Sequence, residues 1–474
     1  MQKFVSKFAT AAHLALLAVA PLLLFLFDAV KLPVAAICSL ALLAVMWVLV
    51  QPSCRRDESL AEARMRVTEA ILHDPLTWVM VALLVLSVIR LLNSGVGVAY
   101  NAEAMKWYLR APVFDELPAS ATGAGTGFFG ASVVLLVVVT GVRHALGRDA
   151  RLVFGLTAST LAAVFAIIFT LCWLGGWPKA VRESSAALVN AQPLGTAFGF
   201  WALLSLASVW GAARSGWRSA EMTAFFALIA NVVALAVFAP PLELLIILAA
   251  LAVYASVIGW RRQVSGLKRA FVRGVVYVVV AMLVVLLLAR SVSASLALPG
   301  KITALFSLSP LTEGFMAARA FISRAGLESW LEFPWVGSGI GTFGLDLRFH
   351  LPPAGWEVVP HGQAAALNGY WFVLAERGVV GAVAFLTPFA LLAWDWLRRV
   401  LRLGKNAFGS ERAMLFPAVM AAVVAMTFFN SSFWRAEVLT AAAAVMALSI
   451  ASMPIRRAEE QEAEEMKEGA HHGR

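Results

Sequence analysis

Residues 195–259 read GTAFGFWALLSLASVWGAARSGWRSAEMTAFFALIANVVALAVFAPPLELLIILAALAVYASVIG. Three apolar runs of about 20 residues follow one another, and each is long enough to cross the hydrocarbon core of a bilayer. Arg214 and Arg218 mark the first joint and Pro240-Pro241 the second. Proline stops a helix, so the second joint reads as a tight helical hairpin. The same pattern extends in both directions along the 474 residues, which are 61% hydrophobic and 14% charged. A water-soluble chain is closer to half apolar and a quarter charged. Mean hydropathy is +0.81, so the bilayer has to act as solvent. The expected fold is an all-α, polytopic membrane helix bundle.

Apolar runs fall near 11–29, 33–50, 75–93, 126–146, 152–174, 195–213, 219–239, 241–259, 271–290, 369–397, 413–429 and 434–453. That is about a dozen spans at the length a bilayer requires. Lys3 and Lys7 precede the first run, and Ala18-Val19-Ala20 has the look of a cleavage site. The run continues through Pro21 to Phe27, which favours a retained helix.

Lysine and arginine concentrate in short cytoplasmic loops. With the N-terminus inside, the inner loops hold Arg55, Arg56, Arg64, Arg66, Arg143, Arg148, Arg151, Arg214, Arg218, Arg261, Arg262, Arg398, Arg399 and Arg402. The short outer loops hold only Lys31, Lys106, Arg110, Lys179, Arg182 and Arg435. An odd number of spans destroys this bias, so both termini read as cytoplasmic. The chain divides into an N-terminal membrane region (1–290), a large periplasmic loop between spans nine and ten (291–368), a C-terminal membrane region (369–453) and a charged cytoplasmic tail (454–474). The net charge of +10 lies in loops between apolar runs and gives no nucleic-acid surface. Cys38, Cys54 and Cys172 form neither a disulfide framework nor a metal spacing, and nothing calls for a metal or cofactor.

The large loop carries the chemistry. Residues 311–333, LTEGFMAARAFISRAGLESWLEF, suggest a partly buried helix. Arg319 and Arg324 point about 140° apart at 100° per residue, so one straight helix cannot aim both at one small ligand. Next comes Pro334-Trp335-Val336-Gly337-Ser338-Gly339-Ile340-Gly341-Thr342-Phe343, in which Gly337, Gly339 and Gly341 permit a tight turn and close backbone approach. The spacing is not GxGxxG and follows no dinucleotide-fold strand, which excludes a nucleotide reading. Span ten opens Leu367-Asn368-Gly369-Tyr370 and continues to Glu376-Arg377-Gly378-Val379-Val380-Gly381. Asn368 suits a helix N-cap. Glu376 and Arg377 fall at membrane depth, where charges are paired or functional.

These stretches resemble the O-antigen ligase and polymerase family of bacterial envelope glycosyltransferases. Its pattern is an arginine, a tryptophan-bearing helix, Pro-x-x-Gly-x-Gly-x-Gly-Thr-Phe, and later Glu-x-Gly-x-x-Gly. The resemblance implies transfer of a glycan from undecaprenyl diphosphate to a lipid or glycan acceptor on the periplasmic face. It implies Arg319 beside the diphosphate, with Arg324, Asn368, Glu376, Arg377, Gly337, Gly339 and Gly341 around the substrate. Two departures stand out. Leu367 occupies the place of the family's histidine, and Pro240-Pro241-Leu242-Glu243 holds no arginine where the family has one. His361 is the nearest histidine and the candidate base, with His350 a poorer one. Two further expectations follow from these departures and from Glu243 near the Pro-Pro turn. One is a non-catalytic assembly protein of the same fold. The other is a transporter or flippase, which calls for broken helices and charges at mid-membrane.

Overall fold

The computed structural model describes residues 60–92, 97–101, 106–110, 148–174, 185–265, 313–339, 369–403, 412–429 and 436–453, with residues 132, 136, 139, 140, 143, 343, 350–353 and 355 between them. The expected spans near 11–29, 33–50 and 271–290, and the charged tail, lie outside the described residues.

The described chain is predominantly helical. Its helices are α1 (Leu60–Leu72), α2 (Pro75–Leu92), α3 (Arg148–Leu174), α4 (Ser185–Ser215), α5 (Arg218–Phe238), α6 (Pro241–Ser265), α7 (Glu313–Glu332), α8 (Gly369–Leu403), α9 (Leu415–Phe429) and α10 (Ala436–Ala451). One feature departs from an all-α chain. Strands β1 (Gly97–Asn101) and β2 (Lys106–Arg110) pair antiparallel, with Tyr100 opposite Trp107 and Ala99 opposite Tyr108. Aromatic residues at paired positions favour a strand ladder, and that local preference sets the hairpin apart from the helices around it.

Among the described residues, three helices are long and apolar enough to cross a membrane: Leu194–Ala213, Arg218–Phe238 and Gly369–Arg402. A fourth span is possible if Met65–Leu72 and Pro75–Leu86, bent by 72°, count as one. Gly155–Leu171, Leu242–Ile258, Leu415–Phe428 and Ala441–Ala451 are shorter apolar helices. The burial pattern suits a lipid surround. Val164, Ile167, Ile168 and Leu171 of α3 and Val380, Val383 and Leu386 of α8 are exposed. By contrast α10 buries a run of small residues, Ala441 to Ala444, which lets helices approach closely without a hydrophobic driving force.

The joints follow from their residues. α4 ends at Gly216, whose φ of 72° lets Trp217 N–H reach the carbonyl of Ala212 at 3.1 Å, as in a Schellman cap. Ala239 is extended because a proline follows it, and Pro241 begins α6 where its missing N–H loses nothing. Gly195 of α4 admits that joint: a Cβ there would lie 2.3 Å from the Ala239 nitrogen.

Polar contacts define the two ends of the bundle. At one end Arg143 donates to Asp74, just before α2, at 2.7 Å and to Asp395, late in α8, at 2.9 Å. Asp395 also holds Arg399 at 3.1 Å, and Arg399 donates to the Ile450 carbonyl of α10 at 3.3 Å. Ser449 of α10 accepts from Phe416 N–H at 3.0 Å and donates to the Ala413 carbonyl at 3.1 Å. So α2 and α9 begin at this arginine end, while α8 and α10 finish there. Arg143 lies five residues before the start of α3, a reach of at most about 18 Å, so α3 begins there too. Phe169, late in α3, packs its ring 4.8 Å from that of Phe238. The α5–α6 joint therefore lies at the opposite end, with the start of α8 and the end of α9.

Arg143 is nearly buried between two carboxylates, and its removal leaves them facing each other. Arg143→Ala should lower stability by about 3 kcal/mol or more. The measure is the unfolding midpoint of the detergent-solubilised protein, and an unchanged midpoint would discount the network.

Candidate functional site

At the end away from Arg143, α7 lies against the first turns of α8. Its inner face is Ala318, Ile322 and Ala325, packed with Phe343, Leu351 and Ala375. Gly326 allows this approach, because a Cβ there would come within 2.8 Å of the Trp371 Cβ. Trp330 packs on Trp371 with centroids 6.3 Å apart, and its indole N–H donates to the Pro334 carbonyl at 3.1 Å.

The centre of the site is a break in α8. Gly378 has φ 61° and ψ −172°, outside the helical region. In an unbroken helix the N–H groups of Val379 and Val380 would bond the carbonyls of Ala375 and Glu376, four residues back. Both bonds are replaced by the segment 334–339. Val379 N–H donates to the Pro334 carbonyl at 2.8 Å and Val380 N–H to the Trp335 carbonyl at 3.0 Å. In return Ala375 accepts from Ser338 N–H at 2.8 Å and Glu376 from Gly339 N–H at 3.1 Å. The Ser338 hydroxyl adds a bond to the Ala375 carbonyl at 3.2 Å.

Two glycines make this possible. Gly337, at φ 70°, faces the backbone of α8, where a Cβ would stand 2.3 Å from the Arg377 nitrogen. Gly378 faces back, where a Cβ would stand 2.3 Å from the Trp335 carbonyl carbon. The expected close backbone approach thus has a definite partner, the broken turn of α8. Gly339, at φ 125°, lies at the end of the inserted segment.

The charged candidates separate. Glu376 is buried and its Oε1 accepts Phe343 N–H at 3.2 Å, tying the end of the glycine motif to α8. Arg377 is buried too. Its Cβ fills the space beside Gly381, 2.5 Å from where a Cβ would be, and its guanidinium lies 4.4 Å from the Phe385 ring centroid. The side chain therefore runs from the break into the bundle. Arg319 of α7 is 7% exposed. It donates to the Phe428 carbonyl at 2.5 Å and its guanidinium carbon lies 3.9 Å over the Phe428 ring. That contact places a cation against the carbonyl end of α9, where the helix dipole favours positive charge. Burial lowers the guanidinium's pKa from the usual arginine value, by desolvation.

Arg324 turns away, with its side chain 73% exposed, and donates to Glu328 at 3.0 Å. The structure brings Arg319, Glu376, Arg377, Gly337 and Gly339 to one end of the bundle and leaves Arg324 on the surface. His350 lies between two α7 carboxylates, 4.0 Å from Glu328 and 3.4 Å from Glu332. His361, Asn368, Gly341 and Leu367 lie outside the described residues. Among the described residues no group of three or more His, Cys, Asp or Glu side chains could hold a metal ion. Sequence reasoning passed over Gly378 as a helix break. Its signal was present in the spacing of Gly378 and Gly381 just after two charges, but nothing local distinguishes a break from a packing glycine.

No family model matches the chain, and no curated protein matches it.

Gly337→Ala and Gly378→Ala each force a Cβ into backbone at a positive φ, so each should cost about 3 kcal/mol or more. Limited proteolysis should then cut within 334–339 much faster than in the parent protein. Parent-like protection of both variants would refute the interlock.

Proposed function

We propose that this chain is a polytopic inner-membrane glycosyltransferase of the O-antigen ligase type. In this reading it has about twelve spans and both termini in the cytoplasm, and the break in α8 faces the periplasm. The Arg143 end then lies at the cytoplasmic face, in keeping with Arg398, Arg399 and Arg402 beside it. Glu376 and Asp395 are 19 residues apart on α8, roughly 28 Å of helix rise, close to the thickness of a hydrocarbon core.

The observation that carries the reading is the interlock itself. The two stretches that carry the resemblance, 334–343 and 376–381, are far apart in sequence yet share three backbone hydrogen bonds, and a fourth, from Ser338 N–H, goes to Ala375 just before the second stretch. Arg319 is buried on the same assembly. Glycan transfer from a lipid diphosphate needs a fixed cation where charge grows on the leaving phosphate oxygen, and guanidinium suits phosphate through paired donors. Arg319 fills that role in this reading. The inserted segment holds α7, and so Arg319, against the membrane end of α8. Glu376 and the glycines act as scaffold, and Arg377 adds positive charge inside the bundle. The acceptor hydroxyl needs a proton acceptor, for which the sequence nominates His361.

One observation favours a second reading, a non-catalytic assembly protein. Arg319 is already engaged by the carbonyl and ring of Phe428, as a clamp between α7 and α9 would be. The broken helix invites a transporter reading as well. In transporters the freed helix ends coordinate the cargo, whereas here the carbonyls of Ala375 and Glu376 and the N–H groups of Val379 and Val380 bond the chain's own residues.

Deletion of the gene should make undecaprenyl-linked glycan accumulate, and wild-type protein should clear it. Arg319→Ala and Arg319→Lys, expressed at wild-type level, should both fail to clear it, because lysine lacks the paired planar donors. Clearance by both variants would take Arg319 out of the mechanism. Absence of any accumulation on deletion would remove the transferase reading.

A further inference from the structure

The hairpin of β1 and β2 is sorted by face. Paired residues of an antiparallel ladder share a side of it, and successive residues of a strand alternate sides. The register therefore puts Val98, Tyr100, Trp107 and Leu109 on one face. The other face holds Lys106, Tyr108 and Arg110 of β2, opposite Asn101, Ala99 and Gly97 of β1. One face is apolar and aromatic throughout. The other carries two cations, and neither strand contains a carboxylate.

Two constraints act on this hairpin. A two-stranded ladder by itself is marginally stable in water and needs a surface on which to bury its apolar face. Among the described elements, β1 and β2 pack extensively only on each other. The chain also limits where the hairpin can lie. α2 starts at the Arg143 end, packs on α8 and rises about 27 Å over its 18 residues. Leu92 therefore lies at the opposite end, with α7 and the start of α8. Gly97 follows Leu92 by five residues, a reach of at most about 18 Å. With α2 as a span, the hairpin is held at the membrane surface.

The chemistry of that surface matches both faces. Tryptophan and tyrosine favour the boundary between water and hydrocarbon. An apolar face backed by lysine and arginine is the pattern of segments that lie in the plane of a bilayer. The headgroup layer is roughly 5–8 Å deep, so a ladder at its base has acyl chains on one side and phosphates on the other. The open strand edges need water, which keeps the hairpin from sinking further.

We propose that the β1–β2 hairpin is an interfacial anchor at the α7 end of the bundle. The face of Val98, Tyr100, Trp107 and Leu109 docks on the bilayer, and Lys106 and Arg110 bind anionic lipid headgroups. The inference rests on the membrane placement of α2 and not on glycan transfer.

The test uses the full-length protein in liposomes of phosphatidylcholine, with and without phosphatidylglycerol. Cys38, Cys54 and Cys172 are first replaced by serine. A spin label is then attached to Val98→Cys, Leu109→Cys, Ala99→Cys or Asn101→Cys, one at a time. Collisions with oxygen report lipid, and collisions with a nickel chelate report water. Ile168→Cys, at an exposed position of α3, is the reference for lipid contact. Labels at 98 and 109 should match that reference, and labels at 99 and 101 should meet the nickel chelate. Lys106→Gln and Arg110→Gln should each lower the docked fraction relative to the undocked about five-fold in phosphatidylglycerol. Equal accessibility on both faces overturns the proposal. So does shielding of 98 and 109 from both reagents, which means that the chain itself covers the face. Hydrogen exchange of residues 97–110 checks the unlabelled protein, in case a label opens the hairpin. Exchange should slow when phosphatidylglycerol is present, and equal rates with and without it overturn the headgroup contact. A water-exposed label at Ile168→Cys removes the membrane placement, and this inference with it.

Discussion

The rest of the structure depends on two missing hydrogen bonds. Gly378 takes α8 out of the helical region, and the bonds from Val379 to Ala375 and from Val380 to Glu376 cannot form. A backbone group left unpaired in apolar surroundings costs several kcal/mol, so a membrane helix can break only where other groups satisfy it. Residues 334–339 supply two carbonyls and two N–H groups in the required order. The segment cannot leave without opening four polar groups of α8, and α8 cannot straighten without expelling the segment. That mutual dependence fixes α7 to the bundle and carries Arg319 to the end of α9.

The bundle pairs this interlock with a charge network at its far end. Arg143, Asp74, Asp395 and Arg399 tie α2, α8 and α10 together through side chains. The glycine end is held mainly through backbone. The difference is physical. Side-chain charges bridge helices that stand apart, whereas backbone bonding demands contact that only glycine permits. Between the ends the helices pack small residues and bury one polar seam, where Asn231 of α5 donates to the Ser159 carbonyl and the Ser205 hydroxyl at 3.3 Å. Such bonds hold helices together where lipid competes with every apolar contact.

Much of this was legible in particular residues. Pro240-Pro241 announced the α5–α6 hairpin, and Arg214 with Arg218 announced the α4–α5 joint. Gly337 and Gly339 announced close backbone approach. The angular separation of Arg319 and Arg324 announced that they face different surroundings, and one is buried while the other is exposed. Other features left no such trace. Pro388 is the strongest breaker in α8 by type, yet the non-helical residue is Gly378, and Pro388 lies inside the helical continuation. Glu243 stood out in the sequence only as a charge beside the Pro-Pro turn, and its burial against Thr196 is a tertiary feature. The hairpin of β1 and β2 stands in a chain whose composition speaks only of helices.

The sequence by itself determined that this chain partitions into apolar helices, where they turn, and which ends carry positive charge. Those properties depend on local composition and on hydration, and each residue declares them alone. The tertiary structure decided which glycine breaks a helix, which segment repairs it, and which of two arginines is buried. Those outcomes depend on the partner that distant residues supply: Gly378 becomes a break only because 334–339 arrives to take its hydrogen bonds, and no window of sequence around Gly378 contains that segment.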